Sequence, residues 1–287
     1  MEIFEKTFKI INKSDCILLR PLYDLHIGSD ACDLEQLKRD IDWIKRRPNA
    51  YTFLGGDIIE AINPSDKRFE LAGVVEKMRG KLNDLAQEQV KEAVAILKPI
   101  KGKILYSLEG NHEAKVKKNY YYDCSNSIAE QLGVPFKSYS CLSKLIFEYK
   151  KCKSRVDIYS HHGYGGGRKA PSKITALMEF AMSFDASIYI MGHNHGIGVH
   201  SQPRLGLGDK GRNKLVARNM LFVLGGCYTK TYKTGNSNYA EKTAYPVSHI
   251  GSNIIKIIPF PVESKTLSLN GESNSLPAQF FVEGLGR

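Results

Sequence analysis

The most constraining feature of this 287-residue sequence is a set of five apolar segments, each of which runs directly into a short polar cluster. The apolar segments have the length and composition of buried β-strands. Every cluster offers carboxylate, amide or imidazole groups, which are the donors that metal ions and catalytic sites use. In chain order the clusters read YDLHIG (23–28), LGGD (54–57), EGNHE (109–113), SHHG (160–163) and MGHNHG (191–196).

Helical patterns lie between these segments. The clearest runs from Leu34 to Ile44 and stops before Pro48, with apolar residues at helical spacing. Further helices are predicted at 65–97, with breaks near Gly73 and Gly80, at 121–132 and at 174–184. Further strands are predicted at 142–149, 155–160, 220–225 and 253–258. Strands that alternate with helices predict a layered α/β fold, in which ligands bind at the carboxyl ends of the strands.

Charge and composition narrow the class of protein. The sequence has 41 Lys and Arg against 30 Asp and Glu, a net charge of +11, which favours anionic partners such as nucleic acid or nucleotides. No signal peptide and no apolar run long enough to cross a bilayer is visible, so we expect a cytoplasmic protein without a membrane partner. Six cysteines without a C-x-x-C pair argue against a disulfide scaffold and a zinc knuckle.

The five clusters occur in a familiar order. D-x-H, G-D, G-N-H-[DE], H and G-H-x-H, between Asp24 and His195, resemble the motifs of the calcineurin-like metallophosphoesterases. The resemblance implies an α/β protein with a layered β-sandwich flanked by helices. It implies one metallophosphoesterase domain over residues 1–262, followed by a C-terminal tail at 263–287. The chain resembles the stand-alone phosphoesterases of bacteria and phages, because too little sequence follows His195 for the DNA-binding cap of the repair nucleases.

The resemblance also implies a site for two divalent cations. Such a pair clamps a phosphate and activates a water molecule for attack. Ligands of one cation would be Asp24, His26, Asp57 and His195. Ligands of the other would be Asp57, Asn111, His193 and either His161 or His162, so Asp57 would bridge the two. Manganese is the expected metal, although a mixed nitrogen and oxygen ligand set also accepts iron, zinc or nickel.

The fourth motif leaves two candidates for one ligand. In the nucleases and nucleotidases of the superfamily the metal histidine stands two residues before a glycine, which selects His161. In the protein Ser/Thr phosphatases it directly precedes the glycine, which selects His162. The nuclease-like G-N-H-E motif and the basic charge favour His161, which we predict as the ligand.

His112 follows the ligand Asn111 but is not itself a ligand in the family. The resemblance implies that it stands near the leaving group, as a general acid or as a stabiliser of developing charge. Glu113 is expected to orient His112 through a hydrogen bond.

The segment GYGGGRK (163–169) follows the fourth motif and departs from the phosphate-loop pattern G-x-x-x-x-G-K-[ST]. Its glycines would let the backbone approach a ligand closely, with Arg168 or Lys169 contacting a substrate phosphate. A flexible surface turn is the alternative interpretation.

The segment NYYYDC (119–124) lies beside Lys117 and Lys118. Aromatic side chains next to cations can stack on nucleic-acid bases. Tyrosines at a helix start can equally pack on the core, and the sequence does not decide between the two.

These observations predict a metal-dependent phosphoesterase that hydrolyses phosphodiester bonds, in DNA, RNA or nucleotides, with a metal-activated hydroxide. A phosphomonoesterase acting on nucleotides or phosphoproteins is the alternative within enzymes. A binding module that keeps the fold without activity is the third possibility, but none of the five motifs is broken. The sequence does not indicate the oligomeric state.

Overall fold

The computed structural model describes residues 1–62, 64, 66, 68–165, 167, 169–207, 215–234, 239–260 and 279–283. The strands are β1 Glu2–Lys9, β2 Ile17–Leu19, β3 Ala50–Leu54, β4 Ile104–Ser107, β5 Ser140–Tyr149, β6 Cys152–His161, β7 Ile188–Met191, β8 Ile197–Leu207, β9 Leu215–Gly225, β10 Ile254–Ile258 and β11 Gln279–Glu283. The α-helices are α1 Leu34–Arg46, α2 Leu85–Leu97, α3 Asn111–Tyr120, α4 Cys124–Leu132, α5 Ala170–Glu179 and α6 Tyr239–Lys242. Short 3-10 helices occur at Leu71–Gly73, Glu76–Met78, Leu82–Asp84, Lys98–Lys103 and Phe180–Met182.

The strands form two mixed sheets. The first has six strands in the order β1-β5-β6-β7-β9-β8, and the second has five in the order β11-β10-β2-β3-β4. Within the first sheet β6, β7 and β9 run parallel, and within the second β2, β3 and β4 run parallel. The carboxyl ends of the motif-bearing strands in each sheet therefore lie at a common edge.

Apolar side chains of both sheets pack in one buried cluster, to which Phe53 and Ile255 contribute from one sheet and Leu145 and Ile190 from the other. Helices cover the outer faces. Leu37 of α1 belongs to a second cluster, beneath α1, α2 and α4. In a third cluster, α5 packs on the six-stranded sheet. The predicted mixed α/β class, with sheets flanked by helices, is confirmed.

Helix α1 illustrates how local sequence sets an element. The Asp33 carboxylate accepts a hydrogen bond from the Gln36 backbone N–H at 3.0 Å and so caps the helix. Leu37, Ile41 and Ile44 are buried on one face, and the helix ends before Pro48.

The structure differs from the predicted secondary structure at three places. Of the helical pattern at 65–97 only α2 is an α-helix, because two glycines and short 3-10 turns interrupt the part before it. Helix α3 was not predicted, because its only buried residues are His112, Glu113 and Val116. Residues 279–283 of the predicted tail form β11, which pairs with β10 because Phe280 and Val282 pack against the cluster between the sheets.

The other residues of the predicted tail at 263–287 lie outside the described residues. Across the described part of the chain, none of the helices combines the length and the apolar character that a membrane crossing needs.

Candidate metal centre

The polar clusters that follow β2, β3, β4, β6 and β7 converge at one edge of the molecule. Direct contacts join the two sheets there, since the Asp24 carboxylate accepts a hydrogen bond from the His193 backbone N–H at 2.7 Å. Six of the seven predicted metal ligands lie together at this edge: Asp24, His26, Asp57, Asn111, His193 and His195. Two groups of side chains have ligand atoms within 4.8 Å of one another, Asp24 with His26 and His195, and Asp57 with His162 and His193.

In the first group two imidazole nitrogens face each other. The Nε2 atoms of His26 and His195 are 3.2 Å apart. The Nδ1 atom of His26 lies 2.9 Å from a carboxylate oxygen of Glu60, which requires that Nδ1 carry the hydrogen. Nε2 of a neutral His26 is then a bare acceptor. The Asp24 Oδ1 atom is buried and has no hydrogen-bond partner among the described residues.

In the second group the Asn111 amide oxygen lies between two imidazoles, 3.0 Å from His162 Nε2 and 2.7 Å from His193 Nδ1. His162 Nδ1 lies 2.9 Å from the Gly55 carbonyl oxygen and so must donate to it. In the neutral ring this contact leaves His162 Nε2 as a lone pair that faces the Asn111 amide oxygen, and in the protonated ring Nε2 donates to that oxygen.

Asp57 lies between the two groups. Its Oδ2 atom is 3.5 Å from His162 Nε2 and 4.0 Å from His26 Nε2. Its Oδ1 atom accepts a hydrogen bond from the His112 backbone N–H at 2.9 Å. Gly110 allows this approach, because a Cβ atom there would lie 2.0 Å from the Asp57 backbone nitrogen.

This arrangement fits divalent cations. The Nε2 atoms of His26 and His195 face each other at a distance that needs either a proton or a metal cation between their lone pairs. The buried Oδ1 of Asp24 lacks a donor, and burying an unpaired carboxylate is costly. Imidazole, carboxylate and amide oxygen form a ligand set suited to first-row divalent metals. The observed contacts therefore suit two cations joined by Asp57.

The electrostatics of the site indicate the same demand for positive charge. Burial raises the pKa of the Asp24 carboxyl to about 7. Burial lowers the pKa of His162, but the carboxylates of Asp57 and Asp24 raise it more, so that its pKa is about 10. Burial also lowers the pKa of His26, but the carboxylates of Glu60 and Asp57 raise it more, so that its pKa is about 9. The carboxylates thus draw a cation into the cleft, whether a proton or a metal ion.

The backbone at the site is held in a costly conformation. Asp24, His26, Asp57, His193 and His195 all have positive φ angles, between 48° and 67°. Non-glycine residues rarely adopt this left-handed region, and such strain persists only where surrounding structure enforces it. Five of the predicted ligands share this conformation, which supports the interpretation of this edge as a candidate functional site.

His161 does not join the cluster, although we predicted it as a ligand. Its Nδ1 atom accepts a hydrogen bond from the Gly163 backbone N–H at 2.8 Å, and its ring packs 4.9 Å from the ring of Phe180. His161 is the last residue of β6, and consecutive side chains of a strand point to opposite faces. His161 therefore faces α5, whereas His162 faces Asn111 and Asp57.

His112 lies at the edge of the same site. Its Nε2 atom is 4.0 Å from Asp57 Oδ2 and 3.3 Å from the Arg68 guanidinium. Its Nδ1 atom donates to the Glu60 carbonyl oxygen. Burial lowers the pKa of His112, partly opposed by Asp57.

Glu113 does not orient His112 as we expected. Its buried carboxylate instead accepts hydrogen bonds from three successive backbone N–H groups, at 3.1 Å from Asp57, 2.6 Å from Ile58 and 3.0 Å from Ile59. The contact to His112 is made by Glu60. Glu113 therefore holds the loop that carries Asp57, because Glu113 lies two residues beyond Asn111 in the first turn of α3.

Two residues at the site were not predicted. Glu60 contacts both His26 and His112, and together the three side chains form a further group that could hold a metal ion. Its only signal in the sequence is a carboxylate three residues after Asp57. Arg68 reaches His112 from a loop, and no pattern in the sequence distinguishes it from other arginines.

A cleft of about 330 Å³ opens over His26, Asp57, Asn111 and His193. Arg68 and Lys173 line it, and the Lys173 ammonium donates to the Asn194 carbonyl oxygen at 2.6 Å. Of the predicted phosphate contacts, Lys169 is exposed just before α5, and Arg168 lies outside the described residues.

Comparisons with known proteins add one similarity. No family model matches the chain, and no curated protein matches it. Among solved structures, a protein of Streptococcus pneumoniae TIGR4, described as a conserved uncharacterized protein and predicted phosphoesterase, is similar over 94% of this chain and 99% of its own. The sequence identity is 13% and the TM-score 0.33. A similarity of this size carries no conclusion about activity, so the function is inferred from the geometry of the site.

Proposed function

We propose that this protein is a metal-dependent phosphoesterase that hydrolyses phosphodiester bonds, with a calcineurin-like metallophosphoesterase site. The carrying observation is the pair of ligand groups on either side of Asp57, in which imidazole nitrogens and carboxylate or amide oxygens converge without other partners between them. The packing of both sheets against one apolar cluster supports the layered β-sandwich that belongs to this proposal.

The ligand sets follow from the contacts. Asp24, His26, Asp57 and His195 would hold one cation. Asp57, Asn111, His162 and His193 would hold the other. His162 replaces His161 in this proposal, because His162 Nε2 lies 3.0 Å from the Asn111 amide oxygen.

When bound, such a pair of divalent cations supplies the positive charge that clamps a phosphate and lowers the pKa of a water molecule. The chain itself fixes the ligands. Glu60 and the Gly55 carbonyl hold the outer nitrogens of His26 and His162, so the Nε2 atoms of both rings face inward. Glu113 fixes the backbone of the Asp57 loop.

His112 and Arg68 act on the leaving group of the phosphate ester. The Glu60 carbonyl orients the His112 ring, so that Nε2 points toward Asp57 and the guanidinium of Arg68. A phosphate bound beside Asp57 would meet the Arg68 guanidinium, which would stabilise negative charge as it develops on the leaving oxygen. His112 would add to this with Nε2 protonated. Lys173 adds a further cation to the cleft.

A nucleic acid or a nucleotide is the proposed substrate. The net charge of +11 favours a polyanion, and Arg68 and Lys173 bring cations to the cleft itself. A phosphate ester of an uncharged alcohol would bind at the metal site, but the positive charge outside the cleft would not add to its affinity.

The proposal is tested by turnover with added manganese on bis-p-nitrophenyl phosphate and, in parallel, on p-nitrophenyl phosphate. We expect the diester to be the better substrate and chelation to abolish turnover. Preference for the monoester would contradict the diesterase assignment, and absence of turnover on both would favour a binding module.

A further inference from the structure

The end of α3 exposes an aromatic side chain that the catalytic proposal does not use. Tyr121 is 94% exposed, whereas its neighbour Tyr122 packs against the apolar cluster beneath the helices. The Tyr121 backbone is left-handed, with φ 55° and ψ 23°, and its N–H closes the helix by donating to the Lys117 carbonyl. A large side chain rarely occupies this conformation, where glycine or asparagine is normal.

Charged side chains lead from the cleft to this residue. Arg68, beside His112, forms an ion pair at 2.9 Å with Asp66, and the Asp66 carboxylate lies 3.5 Å from the Lys115 ammonium. Lys115 and Lys118 are exposed on α3, three residues apart, and Tyr121 follows after three more. Residues at this spacing are neighbours on a helix surface. We call Lys115, Lys118 and Tyr121 the α3 ridge.

The dimensions of the ridge suit a single strand of nucleic acid. From Lys115 to Tyr121 the chain advances by six residues, which corresponds to about 9 Å at the rise of an α-helix. Stacked nucleotides advance by about 3.4 Å, so the ridge would accommodate about three of them. Sites of this kind combine cations that follow the phosphates with aromatic rings on which bases stack.

We propose that the α3 ridge binds single-stranded nucleic acid, with Lys115 and Lys118 at successive phosphates and Tyr121 stacked on a base. This inference rests on the proposed function, because the strand would continue from the ridge into the cleft at His112. Paired bases in a duplex are stacked on one another and do not offer a free face to Tyr121, so the ridge selects a single strand.

The test measures binding of a fluorescein-labelled phosphorothioate oligothymidylate, which resists hydrolysis, by fluorescence anisotropy in the presence of manganese. We expect Tyr121→Ala to raise Kd about tenfold, the usual effect of losing one stacked base. Tyr121→Phe keeps the ring and should bind like the unaltered protein. Tyr121→Asn suits the left-handed backbone, so its weaker binding could not come from misfolding.

The lysines are tested through salt dependence. Lys118→Ala should lower the slope of log Kd against log salt concentration by about 0.7, the value for one lost phosphate contact on a single strand. Lys151→Ala is the matched control, since Lys151 is exposed in the turn at the opposite end of β6 from His161.

Equal Kd values for Tyr121→Ala and the unaltered protein would overturn the inference, and so would tighter binding of the corresponding duplex. Turnover of bis-p-nitrophenyl phosphate by the unaltered protein is measured separately. If the diester is hydrolysed and the Tyr121 variants bind normally, the ridge assignment fails while the proposed function stands. If the diester is not hydrolysed, the proposed function fails instead.

Discussion

His162 Nε2 lies 3.0 Å from the Asn111 amide oxygen, while His162 Nδ1 donates to the Gly55 carbonyl on the other side of the ring. A neutral imidazole in this orientation offers only a lone pair to Asn111, so the contact is favourable only with a positive charge between the two atoms. Its immediate chain neighbour, His161, makes no such contact and packs on Phe180 instead.

The two adjacent histidines should therefore behave differently on replacement. We expect His162→Ala to lose one equivalent of bound metal, and with it most of the diesterase activity, because one ligand of the second cation is removed. His161→Ala should keep both equivalents. Metal content measured by plasma mass spectrometry after dialysis checks this, and the reverse pattern would return the ligand role to His161.

The choice between these histidines shows the limit of the sequence argument. The five motifs and their order were enough to predict that Asp24, Asp57 and His193 lie at a common edge, because parallel strands end on the same side of a sheet. The side on which a strand residue lies, however, reverses with every residue. The two adjacent histidines at the end of β6 therefore point to opposite faces, and the motif alone does not predict which of them faces Asn111.

The role of Arg68 could not be predicted from the sequence for a different reason. Arg68 reaches His112 from a segment that carries short 3-10 turns, and no periodicity links it to the motifs.

Glu113 was expected to contact His112 because the two are adjacent in sequence. Neighbours on a helix point about 100° apart, and so Glu113 reaches the Asp57 loop instead.

Glu60 is expected to position His26. Its carboxylate holds His26 Nδ1 at 2.9 Å, so Glu60→Ala should leave the ring free to rotate and lower metal affinity roughly 10- to 100-fold. Isothermal titration calorimetry with manganese measures the change in metal affinity. Glu35→Ala is the matched control, because the Glu35 side chain is 89% exposed on α1. Equal affinities in the two variants would exclude the positioning role.

His112 should be needed for turnover but not for metal binding. It lies 4.0 Å from Asp57 Oδ2 and outside both proposed ligand sets. We expect His112→Ala to lower kcat on the diester by about 10²- to 10⁴-fold, with metal content still near that of the unaltered protein. Steady-state kinetics and metal analysis on the same preparation check both halves. A variant that keeps its kcat would exclude His112 from the reaction.

Glu113 should matter for stability. Its carboxylate accepts three backbone N–H groups of the Asp57 loop, and Glu113→Ala would leave these buried donors without partners. We expect a loss of about 3 kcal/mol in the free energy of unfolding, measured by urea denaturation. Glu113→Gln keeps one acceptor oxygen and should lose less. Equal stability of the alanine variant and the unaltered protein would contradict the structural role.

Three glycines surround the ring of Tyr23, which is fully buried beside Asp24. Gly55 and Gly192 belong to the motif-bearing strand ends, and Gly225 is the last residue of β9. A Cβ atom at Gly192 would lie 2.2 Å from a ring carbon of Tyr23, and Gly55 and Gly225 approach the ring as closely. The ring cannot retreat, because it packs edge-on against Phe53. The glycines before Asp57 and His193 thus make room for the aromatic residue that precedes Asp24.

Replacement of Gly192 by Ala should consequently cost about 1–3 kcal/mol, since overpacking a dense core displaces side chains and backbone. The shift would also move His193, so metal affinity should fall together with the melting temperature. Gly102→Ala is the control, because a Cβ atom there meets nothing within 4 Å. Differential scanning fluorimetry with and without manganese compares the two variants. A Gly192→Ala protein as stable as Gly102→Ala would show that Tyr23 has room to move and does not set the spacing of the strand ends.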